Sequence, residues 1–242
     1  MAETIAQLRG VHFNRGKTKI LCGIDWTIKK DEHWAVLGPN GSGKTTLLKI
    51  LAGTLWPSSG EASLLGKAFG KFDMRELRKH IGWASSYLLE KIPMDDSIVN
   101  IIVSGKHASF GVYEKVTASD KKQALDLLRF MGCLYLKERD FAVVSQGERQ
   151  KIVIARSLMA NPSLLVLDEP CTGLDPKARE NVLSFISKIC RKKKTTLIYV
   201  THHLDEIVRE IPKVLMIKNG KVYFQGKKGD ALKKERIKRL FE

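Results

Sequence analysis

Eight consecutive residues, Gly38-Pro39-Asn40-Gly41-Ser42-Gly43-Lys44-Thr45, fit the phosphate-binding pattern G-x-x-x-x-G-K-[ST]. Gly38, Gly41 and Gly43 let the backbone turn tightly and point N–H groups inward at phosphate oxygens. Lys44 can reach the β- and γ-phosphates as a compact point charge, and the Thr45 hydroxyl can ligate Mg²⁺; Thr46 ends the phosphate-facing stretch. A second group is Asp168-Glu169, which follows the apolar run 164–167. Asp168 can hold Mg²⁺ through water, and Glu169 can polarise an attacking water as general base. His202 follows another apolar run, 196–200, and can donate a hydrogen bond to a γ-phosphate oxygen, whereas His203 reads as structural. Ser145-Gln146-Gly147-Glu148 opens a helical stretch. A serine hydroxyl and glycine N–H there can form an anion site, and the same residues also make an ordinary N-cap.

These groups need a scaffold that delivers them to one edge. Residues 33–37 read as a buried strand and 45–52 as a helix with Gly53 as its C-cap, so the loop lies at a helix N-terminus, where the dipole favours anions. The apolar runs suit central parallel strands, and open α/β sheets bind ligands beyond the carboxyl ends of such strands. Residues 5–28 read as two antiparallel strands around a turn at 14–17. Phe13 before that turn is either a base-stacking aromatic or a core residue. A loop at 57–60, strands at 61–65 and 81–84 and a short basic helix at 74–80 follow. Helical spacing takes over from 87 to 144, with helices at 96–103 and 118–131, the second capped by Ser119 or Asp120. Helices at 147–160 and 177–190, a hairpin around Asn219-Gly220 and one basic terminal helix at 231–241 complete the chain. The expected fold is α/β in a single domain. Its core covers about 1–86 and 145–242 and includes an antiparallel β lobe; a helical subdomain is inserted at about 87–144.

The 242 residues carry 42 Lys and Arg against 26 Asp and Glu, a net charge of +16. Such a balance suits nucleic acid, an anionic membrane surface, or simply a lysine-rich solvated surface. The basic runs at 191–194 and 227–239 have no interleaved aromatics, so a nucleic-acid partner is not favoured. The first ten residues lack an apolar h-region, and no run approaches the roughly 18 apolar residues of a membrane span. The expectation is a cytoplasmic protein that reaches a membrane only through a partner. Cys22, Cys133, Cys171 and Cys190 form no C-x-x-C pair and read as reduced thiols.

Taken in order, the loop from Gly38 to Thr45, Ser145 to Glu148, the run 164–169, Gly173-Leu174-Asp175 and Thr201-His202 resemble the nucleotide-binding domain of an ATP-binding cassette (ABC) protein. The resemblance covers essentially the whole chain. It implies an ATPase that uses ATP and Mg²⁺, with Lys44, Glu169 and His202 as its catalytic groups. It implies a head-to-tail homodimer or ABC heterodimer beside a transmembrane permease subunit. It further implies that Ser145 to Glu148 is the signature, which contacts the γ-phosphate held by the other chain. Asp175 would be the D-loop acid, His202 the switch histidine, and Phe13 a residue of the A-loop neighbourhood. The alternative is a soluble ABC ATPase acting on another macromolecule, nucleic acid included. A P-loop GTPase is disfavoured because no Asn-Lys-x-Asp motif is present.

This chain departs from the family pattern at two places. The usual signature, Leu-Ser-Gly-Gly-Gln, reads Val144-Ser145-Gln146-Gly147-Glu148 here, with the ligand-facing Ser145 and Gly147 kept. Most cassettes have a glutamine after the 81–84 strand; here it is Ser86, which is shorter and could act on Mg²⁺ only through water. Ser85-Ser86, Ser104-Gly105, the stretch from Ser109 to Tyr113, Cys171 to Asp175 and His202-His203 are similar to the ModF-like or photorepair-type branch, associated by name with molybdate transport.

Overall fold

The computed structural model describes residues 3–242, apart from the side chains of Ser86 and Tyr87. Two long strands, β1 (Thr4–Arg15) and β2 (Thr18–Lys29), pair antiparallel around a tight turn. β3 (Trp34–Leu37) leads through the glycine-rich loop into α1 (Lys44–Leu51). Next come β4 (Ser59–Leu64), β5 (Lys67–Ala68), α2 (Met74–Arg78) and β6 (Ile81–Ser85). The helices α3 (Ser86–Leu89), α4 (Ile98–Ser104) and α5 (Ala118–Phe130) then run without an intervening strand among the described residues. α6 (Gln146–Leu158), β7 (Leu164–Asp168), α7 (Pro176–Arg191) and β8 (Thr196–Val200) return to the sheet. The hairpin of β9 (Lys213–Lys218) and β10 (Lys221–Lys227) precedes α8 (Lys228–Ala231) and α9 (Lys234–Phe241).

The described residues form two sheets. One is antiparallel, in the order β2-β1-β4-β5; the other runs β10-β9-β3-β8-β7-β6 and is parallel except at the β10 edge. Both faces of the parallel sheet are covered, which is why its strands read as unbroken apolar runs. Alternation divides them. Trp34, Val36, Val166, Ile198 and Leu215 face α1 and the antiparallel lobe. Ala35, Leu37, Leu167, Tyr199 and Met216 face the helices α4 to α7. Trp26 of β2 meets Trp34 of β3 edge to face at 5.5 Å and fixes the lobe to the sheet.

Three local expectations change. The N-cap of α5 is Thr117, not Ser119 or Asp120, because the Asp120 carboxylate reaches back to the Thr117 N–H at 3.1 Å while Asp120 N–H donates to the Thr117 hydroxyl at 3.1 Å. The terminal helix is two pieces. Lys233 is extended between them, so that Ala231 and Leu240 both reach the same apolar cluster. Ser59 and Gly60, read as loop, belong to β4: His12 of β1 pairs with Ser59, and Gly60 sits at the register shift before the Arg9–Glu61 pair.

Candidate functional site

A single row of register crosses the carboxyl edge of the parallel sheet: Ser85 opposite Asp168, Asp168 opposite Val200, Val200 opposite Val36. Chains leaving that row deliver Gly38, Glu169 and His202 to one side of the molecule. The loop after β3 is clamped from outside. A Cβ on Gly38 would lie 2.3 Å from the Ile217 carbonyl oxygen, and one on Gly43, at φ 104°, would lie 2.8 Å from Leu21 Cδ2. The Lys44 ammonium donates to the carbonyls of Gly38 at 2.7 Å and Pro39 at 3.0 Å. Burial lowers its pKa, while the charges of Glu169 and Asp168 pull it upward. Buried Ser42 Oγ has no hydrogen-bond partner among the described residues.

Asp168 ends β7 half-buried. Burial raises its pKa to about 6, with the neighbouring Glu169 charge adding to the rise and Lys44 and Lys49 opposing it. Glu169 adopts a left-handed backbone at φ 50°, a conformation that costs a glutamate about 1–3 kcal/mol and is held by its N–H donating to Val200 O at 2.9 Å. That twist turns the side chain to His202, whose Nδ1 is 3.1 Å from Glu169 Oε1. The Thr172 hydroxyl donates to Oε2 at 3.3 Å. His203 stacks on His202 with ring centroids 4.1 Å apart.

The donors around this edge are oxygen. Thr45, Asp168 and the buried, unpartnered hydroxyl of Ser85 in the Asp168 row fit a hard cation. Among the described residues no group of three His, Cys, Asp or Glu can hold a metal alone, so the set suits an ion shared with a phosphate.

Ser145 caps α6. Its hydroxyl accepts from Glu148 N–H, and Glu148 Oε2 takes the Ser145 N–H at 2.8 Å and hydroxyl at 2.8 Å. Burial would raise the Glu148 pKa, but hydrogen bonds from Tyr135 and Ser145 outweigh it and hold the pKa below its ordinary value. Gln146 donates to Thr172 O at 3.4 Å, tying the α6 start to the segment that also holds Glu169. A Cβ on Gly147 would come within 3.1 Å of Ala178, so α6 and α7 meet closely there. Asp175 caps α7, accepting from Ala178 N–H at 2.9 Å.

The structure thus joins Lys44, Asp168, Glu169 and His202 in one site. Among the described residues no hydrogen bond or ion pair links Ser145 or Phe13 to the loop at Gly38. Phe13 is half-buried against the lobe's apolar cluster, opposite Leu21, which packs on Gly43. The Ser86 side chain lies outside the described residues. Three contributors went unread in the sequence. Thr172 holds Glu169, and Tyr135 holds Glu148 from 13 residues away. Buried Glu206 accepts from Tyr199 at 3.0 Å, from Thr201 at 2.5 Å and from Arg179 at 3.2 Å beneath the histidine pair. Only Thr172 had a local signal, in its place three residues after Glu169.

A phosphate-binding loop on a parallel sheet, with an acid pair and a histidine on the next two strands, defines a P-loop nucleoside triphosphatase. The chain belongs to the ABC transporter family, whose pattern matches residues 21–172, and it is an ABC ATPase. It is 40% identical to the ABC transporter ATP-binding protein YlmA of Bacillus subtilis (strain 168), over 98% of this chain and 91% of that protein. ModF of Escherichia coli (strain K12) is also a relative, at 34% over 77% of this chain and 39% of ModF, so YlmA is the nearer of the two. Among solved structures, cbiO1 from Clostridium perfringens, described as part of the ABC transporter complex cbiONQ, superposes with a TM-score of 0.82 at 27% identity, covering 98% of this chain and 94% of cbiO1.

Proposed function

We propose that this chain is the nucleotide-binding subunit of an ABC transporter, hydrolysing MgATP in a head-to-tail pair. The observation that carries this is Glu169, held in a left-handed conformation 3.1 Å from His202 on the edge where the phosphate loop opens. Lys44 leaves the Gly38 and Pro39 carbonyls to neutralise the β- and γ-phosphates. Thr45, and Asp168 through water, would hold Mg²⁺, which would neutralise phosphate charge when bound. Glu169 orients a water and takes its proton as the water oxygen bonds to the γ-phosphorus and the bond to the β–γ bridging oxygen breaks. His202 donates to the γ-phosphate. Phe13 borders the adenine side, and Asp175 meets the second chain.

The cassette is one domain, with the helical subdomain at about 87–144. The trans half of each site is Ser145 and Gly147 of the other chain. Ser145 has no tie to its own chain's loop among the described residues, and this supports a shared site. A permease partner is supported by the transporter names of the relatives; no described helix is long and apolar enough to cross a membrane. The cavity of about 500 Å³ lined by Trp83, Phe110, Arg78 and Arg156 offers a basic, partly apolar face for that partner.

The test is steady-state phosphate release. Glu169→Gln keeps the shape of the side chain and removes the base, so turnover falls by about 10²-fold or more while ATP binding survives. A rate near wild type removes Glu169 from this role.

A further inference from the structure

The signature glutamine of the family is a glutamate here, and its surroundings are unusual. Glu148 gathers three donors. Oε2 takes the Ser145 N–H and hydroxyl, each at 2.8 Å, and Oε1 takes the Tyr135 hydroxyl at 2.6 Å. Tyr135 stands on the 3₁₀ turn Leu134–Leu136 with 62% of its surface exposed, and its hydroxyl is committed to this one carboxylate. The side chain of Glu148 is therefore pinned from both ends.

We propose that Tyr135 and Glu148 form an electrostatic latch over the phosphate-facing start of α6, which sets how tightly this chain grips the ATP terminal phosphate held by a second copy. The inference rests on the shared-site reading above. A phosphate oxygen is an acceptor and needs donors. The hydroxyl and N–H of Ser145 are two of the donors at this helix start, beside the Gly147 N–H, and both point at the Glu148 carboxylate. The carboxylate also places a negative charge beside an approaching anion. A glutamine at 148 still accepts the Ser145 N–H, because the reciprocal cap works with either side chain. It offers an amide donor and no charge. Tyr135 acts through Glu148 as a positioning residue. Its hydroxyl draws the carboxylate away from the mouth of the site and shares its charge; without it the carboxylate is free to meet the phosphate.

The experiment follows ATP-driven dimerisation by light scattering in the slow Glu169→Gln protein, titrating ATP. Adding Glu148→Gln lowers the half-saturating ATP concentration about tenfold, the size of one hydrogen bond to a charged group. Adding Tyr135→Phe instead raises it several-fold. In the protein that also carries Glu148→Gln, Tyr135→Phe changes it by less than about twofold, because the two act as a coupled pair. Binding of a fluorescent ATP analogue to dilute monomer is the same in all of these proteins. Half-saturation unmoved by Glu148→Gln overturns the latch, as does an equal Tyr135→Phe effect in both backgrounds. The shared-site reading has its own arm. Dimerisation that persists with Ser145→Arg, or is absent from every variant, sinks that reading and the latch with it.

Discussion

The strand-end site and the start of α6 are the two regions proposed to meet phosphate, and they are made in opposite ways. At the strand ends, groups from residues 38 to 202 converge under burial. Lys44 is pulled down in pKa, Asp168 is pushed up to about 6, and Glu169 is held in a disfavoured backbone conformation. At α6, four consecutive residues satisfy one another in the open, through the reciprocal cap of Ser145 and Glu148. The first arrangement stores polarity that only a ligand can neutralise. The second is nearly complete in itself and gains a ligand only when one is pressed against it. On the proposed shared-site reading, the contrast predicts that one chain binds nucleotide alone while chemistry awaits a partner.

The sharpest way to break this comparison is to damage each region separately. Lys44→Ala removes the one cation inside the loop, so a fluorescent ATP analogue no longer binds the monomer at concentrations that saturate wild type. Ser145→Arg leaves that binding unchanged and blocks the ATP-dependent dimer, lowering turnover by about 10²-fold, on the scale of losing one preorganised transition-state donor. If Ser145→Arg weakens monomer binding as much as Lys44→Ala does, the two regions are one site within a chain and the division is wrong.

A smaller effect probes what lies under the strand ends. Glu206 is 3% exposed and binds Arg179 of α7 together with Tyr199 and Thr201, the strand that carries His202. Glu206→Ala strands two hydroxyls and leaves the partly exposed Arg179 guanidinium with Asp205, and urea unfolding should show a loss of about 2 kcal/mol, below the range for a fully buried pair. The corresponding change at α6, Glu148→Ala, should cost about 1 kcal/mol or less, since the cap is exposed and local. Equal losses would erase the distinction between a buried network and a surface one.

The smallest expected effect lies at the far end of the same sheet. His33 is buried before β3, accepting the Leu197 N–H at Nδ1 and donating from Nε2 to Cys190 O at 3.2 Å, so the fold needs it neutral. Burial lowers its pKa below 6.5, outweighing the carbonyl and Asp31, which raise it. Above about pH 6.5 the native and unfolded chains are both neutral there, and the group adds no pH dependence. As pH falls below 6.5 the unfolded chain takes up a proton that the native chain resists, so stability declines until the lowered native pKa is passed, by at most about 1.4 kcal/mol per pH unit. Melting temperatures between pH 7.5 and 5 should therefore fall more steeply for wild type than for His33→Gln. Parallel curves would show that burial at this end leaves no ionisation to exploit.

Much of the site was legible because its motifs are local. The loop from Gly38 to Thr45 carries its own turn geometry, Asn219-Gly220 its own hairpin, and Ser145 with Glu148 its own cap. The apolar runs at 164–167 and 196–200 announced strands buried on both faces, and each places an acid or a histidine at its end. The cap of α5 lies two to three residues before the expected Ser119 or Asp120, because Asp120 bonds back to Thr117 and closes the turn earlier. The split of the terminal helix was invisible for a different reason. Nothing near Lys233 breaks a helix, and the break exists because Ala231 and Leu240 must reach one cluster.

By itself the sequence determined the kind of chemistry, the family, and the order of strands and helices that carries them. Those depend on residue types at short spacing, and short spacing is what backbone geometry reads. Only the tertiary structure decided that Glu169 turns left-handed toward His202, that Thr172 and Glu206 support them, and that Tyr135 reaches Glu148. Each of these joins residues through space, set by sheet register and helix packing. A contact of that kind leaves no periodicity in the chain that could announce it.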